Sequence, residues 1–311
     1  MKIGNGVKIE NIRMGVSSSG ELEIYGRGTV DGSSRIFKAD KDFNIIWTSD
    51  LIINERMSYF AIYNDYLYSL SDIGNDVYKT NINDGASVHL SNGDLYWGSS
   101  ASGIAIDVND GNMLIASGSK PYVYKFNPNT LTQVWRSPSF GTIDAKDMSY
   151  DGNDSIYVAH KNLEKLRAID GTTVWEIPTV TGTASYTAVK YHNNHVYSVG
   201  ASRLSKHDVD GNLIWSSTDS TNHSSGNIYG LSINSSGDIV TASIDGTVIK
   251  YDDQGNIIWQ SSVLADRLYK AELTDDGYVY TSSLFKLHKL DPNGNEIKTF
   301  DTYYSYGFHI K

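Results

Sequence analysis

Short apolar runs alternate with clusters of polar turn residues along the whole chain, and no segment carries the apolar stripe of a sustained helix. The clearest stretch holds four such runs, at residues 228–233, 238–243, 247–251 and 257–260. Asp245-Gly246, between the second and third runs, is a strong hairpin signal. Because β-branched and aromatic residues favour strands while Gly, Asn, Asp and Ser favour turns, this stretch predicts four antiparallel strands.

The four-strand unit repeats, and a tryptophan near its end marks most copies. Five of the six tryptophans occupy this slot, and a glycine four residues before the slot identifies two copies without tryptophan, at His89 and Lys298. The seven slots are residues 47, 89, 135, 175, 215, 259 and 298, which lie 39 to 46 residues apart. A period of this length is typical of propeller blades. The chain is therefore predicted to be an all-β, seven-bladed β-propeller of four-stranded antiparallel blades, with an eight-bladed ring containing one partial blade as the alternative.

The recurring tryptophan has a structural explanation in such a ring. A four-stranded blade cannot bury both faces alone, so neighbouring blades pack face to face around the axis. A large flat ring with a single N–H donor suits the seam between two blades, since it buries apolar area and still reaches a backbone acceptor. We predict this seam role for Trp47, Trp135, Trp175, Trp215 and Trp259.

The segment Ala168–Trp175 resembles the tryptophan-docking repeat of PQQ-like propellers, the quinoprotein-dehydrogenase type. That repeat runs as a small residue, an apolar residue, Asp, a turn with Gly, and then Trp. The segments 204–215 and 248–259 are similar to it. The resemblance implies the fold, and the family includes both quinone-dependent dehydrogenases and catalytically inert scaffold and assembly propellers.

The enzymatic residues of that family are missing from this chain. Its dehydrogenases carry a vicinal disulfide beside the quinone, and some carry a haem site of the Cys-x-x-Cys-His type, whereas this chain has no cysteine. No set of Glu, Asn and Asp matches their calcium site residue by residue. We therefore predict no quinone, haem or other cofactor, and no enzymatic activity.

Net charge and hydropathy narrow the classes of partner. A formal net charge of −10, spread through turns, makes the chain a poor binder of phosphate backbones, which argues against nucleic acid. No apolar run approaches the length of a membrane span, and no apolar stretch follows Met1 and Lys2 as it would in a signal peptide. We expect no membrane insertion and a cytoplasmic or virion-associated protein.

The chain is predicted to form one propeller domain, residues 1–311, with a terminal segment at each end, residues 1–11 and 301–311. Residues 306–310 copy the first strand of a unit. Rings are usually closed by pairing terminal strands, which removes free edges. We expect one terminal segment to close the ring and the other to be available for a partner.

Two motifs resemble metal sites but fall at predicted turns. His192 and His195 lie three residues apart without a third ligand nearby in sequence. The turns 107–112 and 208–212 resemble calcium loops, but neither has the Gly at the sixth position or the Glu at the twelfth that an EF-hand needs. We therefore predict no metal site, and no nucleophile or phosphate-loop motif predicts a catalytic residue.

The candidate binding residues lie outside the repeat slot. Tyr96 and Trp97 stand in a polar loop, and an exposed aromatic ring with a polar rim suits a sugar face or a protein partner. The other candidates are charges at the starts of first strands, expected at the mouth of the central channel: Asp144, Lys146, Asp147, Arg267 and Lys270. Such charges also serve to solvate a water-filled channel.

Three functions remain open. The one we favour is a non-catalytic structural or interaction propeller, such as a phage tail, baseplate or head-decoration protein that binds protein or surface glycan. The second is a cytoplasmic or envelope assembly scaffold that binds peptides by its edges. The third is a glycan hydrolase or lyase that uses Asp144 and Asp147, which would require another carboxylate at about 5–9 Å.

Replacing Trp175 by Ala should lower the free energy of unfolding by about 3–5 kcal/mol, because it truncates a large ring at a packed seam. Trp97→Ala should leave stability nearly unchanged and act on binding. Chemical denaturation of both variants beside the wild type measures the difference. Equal losses would show that the tryptophans do not divide into seam residues and one contact residue.

Overall fold

The computed structural model describes residues 8–16, 22–30, 33–40, 44–51, 57–71, 76–91, 101–179, 185–200, 203–217, 227–264, 267–283 and 286–301. Within them the chain forms 28 strands and no helix. The strands build seven sheets, each of four antiparallel strands that follow one another in chain order. The predicted seven-bladed β-propeller is confirmed, and no eighth sheet is present in these ranges.

The first four blades run from β1 to β16, and each begins at its innermost strand. Their strands are β1 (Lys8–Val16), β2 (Leu22–Val30), β3 (Ser33–Ala39), β4 (Ile45–Thr48), β5 (Met57–Tyr63), β6 (Tyr66–Ser71), β7 (Val77–Asn81), β8 (Ser87–Leu90), β9 (Ala101–Ile106), β10 (Met113–Ser117), β11 (Val123–Phe126), β12 (Gln133–Arg136), β13 (Asp147–Tyr150), β14 (Ser155–Ala159), β15 (Leu163–Arg167) and β16 (Thr173–Ile177).

Blades five to seven follow the same plan. Their strands are β17 (Tyr186–His192), β18 (His195–Gly200), β19 (Arg203–Asp208), β20 (Leu213–Ser216), β21 (Ile228–Ile233), β22 (Ile239–Ser243), β23 (Val248–Tyr251), β24 (Ile257–Gln260), β25 (Lys270–Leu273), β26 (Val279–Ser282), β27 (Lys286–Leu290) and β28 (Glu296–Asp301). Because β1 begins at Lys8, residues 8–11 belong to blade one. Residues 1–7 and 302–311 lie outside the described residues, so the way the ring closes stays a prediction.

Local turn chemistry explains the tightest hairpins. Asn64 and Asp65, between β5 and β6, have φ values of 47° and 61°. Asn193 and Asn194, between β17 and β18, have φ values of 44° and 62°. Two successive positive φ values give the two-residue turn that matches the twist of paired strands, and Asn and Asp tolerate this conformation. The His192–His195 motif is therefore a hairpin end.

The innermost strands pack side by side around the channel, and side-chain acceptors tie them together. In blade four, Asp147 Oδ2 accepts the backbone N–H of Val189 at 3.0 Å. Two residues further on, Ser149 Oγ accepts the backbone N–H of Tyr191 at 2.9 Å. Both donors lie on β17 of blade five, so these polar side chains join neighbouring sheets that share no ladder.

The apolar core lies between the blades. One buried cluster combines Val240 and Val248 of blade six with Leu268, Ala271 and Leu290 of blade seven or its entry loop. A single sheet has two apolar faces and needs a neighbour on each side, which explains why the innermost and central strands are apolar on both faces.

The slot tryptophans stand at the seams between blades. Each indole N–H donates a hydrogen bond to a backbone carbonyl in the turn between the third and fourth strands of the next blade. The pairs are Trp47–Ile82, Trp135–Ala168, Trp175–Val209, Trp215–Asp253 and Trp259–Pro292, at N···O distances of 2.9 to 3.1 Å. Each ring therefore satisfies its donor while its face covers the neighbouring blade.

A glycine in the same turn lies against each of these indoles. Gly171 has a φ of +73°, and a Cβ on it would come 2.6 Å from the Trp135 ring. The five glycines in contact with an indole are Gly85, Gly171, Gly211, Gly255 and Gly294. The glycine four residues before a slot therefore contacts the tryptophan of the preceding blade, not that of its own blade.

Replacing Gly171 by Ala should destabilise the fold more than replacing Gly152 by Ala in the same blade. Both glycines have positive φ, at +73° and +79°, but a Cβ on Gly152 meets nothing within 4 Å. The difference in free energy of unfolding isolates the indole contact and should be about 1–3 kcal/mol, as for overpacking a core. Urea denaturation measures it. Equal losses would mean that backbone strain alone requires glycine in this turn.

Candidate functional site

A lysine accompanies every slot, although the tryptophan pattern alone does not reveal it. It stands nine or ten residues before the slot in all seven units, as Lys38, Lys79, Lys125, Lys165, Lys206, Lys250 and Lys289. In six blades it pairs directly across the ladder with the slot residue. Directly paired residues share one face of a sheet, so the lysine lies beside the seam. The regular spacing of this lysine before the slot is the sequence signal that could have revealed it.

Most of these lysines are neutralised by a carboxylate of their own chain. The ion pairs are Lys38–Glu23, Lys125–Asp107, Lys206–Asp253 and Lys250–Asp238, with Nζ···O distances of 2.6 or 2.7 Å. Lys165 instead donates to the Val209 carbonyl at 3.0 Å, the oxygen that also accepts from Trp175. A charge partly withdrawn from water needs such an acceptor, because desolvation otherwise costs free energy.

Blade two departs from this pattern through its register. The other six blades have a register shift directly after the lysine, whereas the ladder between β7 and β8 runs without one. Val88 therefore stands opposite Lys79, and His89 stands opposite Tyr78. His89 stacks on Tyr78 at 4.7 Å, and its Nε2 lies 3.2 Å from Asp76 Oδ1. The prediction that His89 fills the slot is wrong. The four-residue spacing from glycine to slot includes a bulge residue, and blade two lacks that residue, so the position opposite the lysine comes one residue earlier.

In the seam between blades two and three, the filling side chain comes from blade three, whereas in the docked seams it comes from the preceding blade. Leu131 occupies the turn position that is glycine in the docked seams, with a φ of 56°. It is buried in a cluster with Tyr68, Leu70 and Phe126. Gly171 shows that a side chain at this position projects into the space of an indole. Leu131 therefore takes the place of the tryptophan that blade two lacks.

An open groove of about 490 Å³ accompanies this change. Tyr63, Tyr66, Tyr68 and Lys79 line it from blade two, and the turns of blade three supply Asn129 and other residues. Lys79 Nζ lies 4.3 Å from the ring centroid of Tyr66 and 3.4 Å from Asn129 Oδ1. The groove thus combines aromatic surface, amides and an accessible ammonium, which suits a polar ligand with apolar parts.

A second cavity, of about 380 Å³, lies in the central channel at the ends of the innermost strands. Lys190, His192, Glu272 and Asp275 line it together with small and apolar side chains. Burial lowers the pKa of His192, so its imidazole is mainly neutral at pH 7. Its Nε2 is buried and has no hydrogen-bond partner among the described residues.

The predicted channel-mouth charges lie at the opposite, starting ends of these strands. Asp147 is the first residue of β13 and is fully buried, with its carboxylate used by the backbone of Val189. The other four are half-buried or exposed: Asp144, Lys146, Arg267 and Lys270. Tyr96 and Trp97 lie outside the described residues. A binding role for these seven residues stays a prediction.

The turns that resemble calcium loops use their carboxylates internally. Asp208 Oδ1 accepts the backbone N–H groups of Asp210 and Asn212 at 3.0 and 2.8 Å. Asp107 is buried, and it accepts hydrogen bonds from Lys125 at 2.6 Å and Tyr150 at 2.8 Å. Across the described ranges, no group of three His, Asp or Glu side chains could hold a metal ion.

Four-stranded blades joined by tryptophans that dock on glycine turns define a PQQ-like propeller. The family model described as outer membrane protein assembly factor BamB matches residues 119–284, which is more than half of the chain. This chain belongs to that family, and the resemblance predicted from the tryptophan repeat is confirmed.

The crystal structure of BamB from Moraxella catarrhalis is similar to this chain over nearly the whole length. The TM-score is 0.62, with 96% of this chain and 92% of that chain covered and 13% sequence identity. At this identity the likeness shows the fold alone. No curated protein sequence matches the chain. In the part of the chain that the structure describes, no helix has the length and apolarity to cross a membrane.

The turn aspartates predict how stability depends on pH. The side-chain amide of the asparagine four residues on lowers the pKa of Asp208, Asp252 and Asp291 below the ordinary value of 3.8. A lowered carboxyl pKa contributes stability that is fully present above pH 3.8 and is lost as the pH falls through the lower folded value. We expect the melting temperature to fall in that acidic range, and to fall less steeply in Asp252→Asn.

Thermal melts across the acidic range measure this effect. The matched control is Asp210→Asn, since Asp210 donates its backbone N–H to the Asp208 carboxylate and leaves that carboxylate in place. An unchanged acid profile in the variant Asp252→Asn would contradict the role assigned to the turn carboxylate.

Proposed function

We propose that this protein is a non-catalytic interaction propeller that takes part in the assembly of a larger protein complex. Its family is described by the name of an outer membrane protein assembly factor, which supports an assembly role. The observation that carries the proposal is a set of exposed apolar side chains on the outermost strands.

One β-branched residue on each outermost strand is about half exposed. The seven residues are Ile46, Val88, Val134, Val174, Ile214, Ile258 and Ile297, with exposed fractions between 49 and 56%. Single apolar residues on a surface are ordinary. Here an outermost strand is apolar in every blade, at the bulge residue before the slot in six blades and at the residue paired with Lys79 in blade two, so the outer rim offers apolar contacts at regular intervals around the ring.

These side chains stand beside open hydrogen-bonding edges. In every described sheet the fourth strand pairs with the third and ends the strand order. An outermost strand leaves one row of backbone N–H and C=O groups for pairing with an extended segment of another protein. Backbone pairing then supplies affinity, and the apolar residue supplies a contact for alternate side chains of that segment. This arrangement suits a peptide segment better than a small substrate.

Family membership supports the assembly scaffold over the other two functions. The glycan enzyme would need Asp147 as a reacting group, whereas Oδ2 of this buried residue accepts a hydrogen bond from Val189. The phage tail, baseplate or head-decoration version and the binding of surface glycan rest on the sequence alone and stay predictions. Both the assembly scaffold and the phage-particle protein would bind a protein partner.

Photo-crosslinking in the native cells tests the proposal. A photoreactive amino acid at position 134, 174, 214 or 258 should crosslink to a protein partner, because these positions lie on the outer rim. The same group at Lys161, which is exposed on a turn of blade four, is the matched control and should give no such product.

Charge on the rim should then weaken the crosslinked complex. Val174→Lys and Ile214→Lys introduce a charge at half-exposed positions, so the melting temperature should stay near that of the wild type while partner capture falls. Capture that is independent of these positions, or crosslinking from Lys161 alone, would rule out the outer strands as the interaction surface.

A further inference from the structure

We propose that the groove between blades two and three binds a carboxylate carried by a peptide segment of the partner, with the Lys79 ammonium as its ion partner. This inference rests on the proposed function, because it names a site on the same protein-binding surface. It follows from a comparison of Lys79 with the equivalent lysines of the other blades.

The other blades show what a lysine at this position binds. In four of them a carboxylate of the same chain lies 2.6 or 2.7 Å from the ammonium. These carboxylates come from three places: the second strand or the turn before it (Glu23 and Asp238), the residue after the first strand (Asp107), and the turn of the next blade (Asp253). In these four blades a carboxylate thus reaches the lysine by three independent routes.

Blade two has a neutral residue in all three places. Tyr66 lies two residues before the partner of Lys79 in the ladder, where blades one and six have Glu23 and Asp238. Asn64 follows β5 as Asp107 follows β9. In the turn of blade three, Asn129 stands two residues before Leu131, which corresponds to Asp253 two residues before Gly255.

The consequence is a lysine that is held in place but lacks an anion of its own. Its Nζ lies 4.3 Å from the ring centroid of Tyr66 and 5.6 Å from that of Tyr68. Its hydrogen bond to the neutral Asn129 Oδ1 is 3.4 Å long, against 2.6 Å for Lys206 to Asp253. Among the described residues, no carboxylate forms an ion pair with Lys79.

The groove around Lys79 favours an incoming carboxylate. Lys79 as a whole is half-buried, and its ammonium, in an exposed hydrogen bond with Asn129, is accessible to a carboxylate from solvent. Near a protein surface the effective dielectric constant is below that of bulk water, so a charge pair there is stronger than one in water. Tyr63 and Tyr66 line the groove and carry hydroxyls that can donate to a carboxylate oxygen. Asp110 also lines the groove, but its carboxylate is paired with Lys125 at 2.7 Å.

The surroundings favour a peptide as the carrier of the carboxylate. Val88 stands directly opposite Lys79 on the outermost strand β8, so an apolar contact and the cation share one face of the blade. Val108, which is 46% exposed, lines the groove from blade three. An extended segment along β8 would place an acidic side chain at Lys79 and apolar side chains on these two valines.

A random linear peptide library, displayed and selected on the full-length protein, tests the site. Selected peptides should be enriched in Asp or Glu, and changing that acid to its amide should weaken binding about tenfold, as measured by calorimetry. Lys79→Gln should cause a similar loss, and the two changes together should cost little more than either alone, because they remove the same ion pair.

Two variants keep the result interpretable. Lys165→Gln is the matched control, since Lys165 lies in a seam that Trp175 closes, and it should leave peptide affinity unchanged. Lys79→Arg keeps the charge and should retain most of the binding, which excludes loss through misfolding. Melting temperatures of all variants are compared.

Selected peptides without acids, or acidic peptides that bind Lys79→Gln as well as wild type, would overturn the inference. Displacement of the peptides by an acidic polysaccharide, with the peptide acid having no effect on affinity, would assign the groove to a glycan and also overturn it. Crosslinking at Val174 and Ile214 without acid-dependent peptide binding would leave the proposed function standing and remove only this site.

Discussion

The docking of an indole from one blade onto a glycine turn of the next is the interaction on which the ring depends. It joins sheets that share no backbone ladder, and it needs three matched parts: a ring, a glycine with positive φ and a carbonyl that accepts the indole N–H. At Trp135 these parts are Gly171 and the Ala168 carbonyl. Because the parts belong to different blades, a change in one blade requires a change in its neighbour.

The exceptions to the repeat obey this requirement. Blade two lacks the tryptophan, and blade three has Leu131 where the docked seams have glycine. Along the sequence, the seventh slot is Lys298, and Phe43 stands four residues before Trp47. Ring and glycine are thus lost together along the sequence, and between blades two and three the reason is that a side chain in the turn and an indole compete for the same space. Leu131, which is buried, shows this replacement directly.

The places where the repeat changes are also the places where a binding role can arise. A docked seam is filled, and in four of the five its lysine is neutralised by a carboxylate of the chain, as Lys206 is by Asp253. The seam between blades two and three keeps the lysine but has the neutral Asn129 in the corresponding turn, and it contains an open groove. The outer strands differ from the seams because they expose an apolar residue in all seven blades, which fits contact with another protein along the rim.

The sequence by itself determined the number of blades, their strands and their turns, because strand propensity and turn chemistry are local and repeat with the tryptophan. It also indicated the seam as the place for a flat ring such as Trp175. Tertiary structure decided which blade each glycine serves, since the contact joins residues about forty positions apart, as Gly171 and Trp135 do. It decided that Val88 rather than His89 faces Lys79, because one bulge residue shifts the register of a hairpin. It also decided which lysines are neutralised, because their carboxylates come from three different parts of the ring.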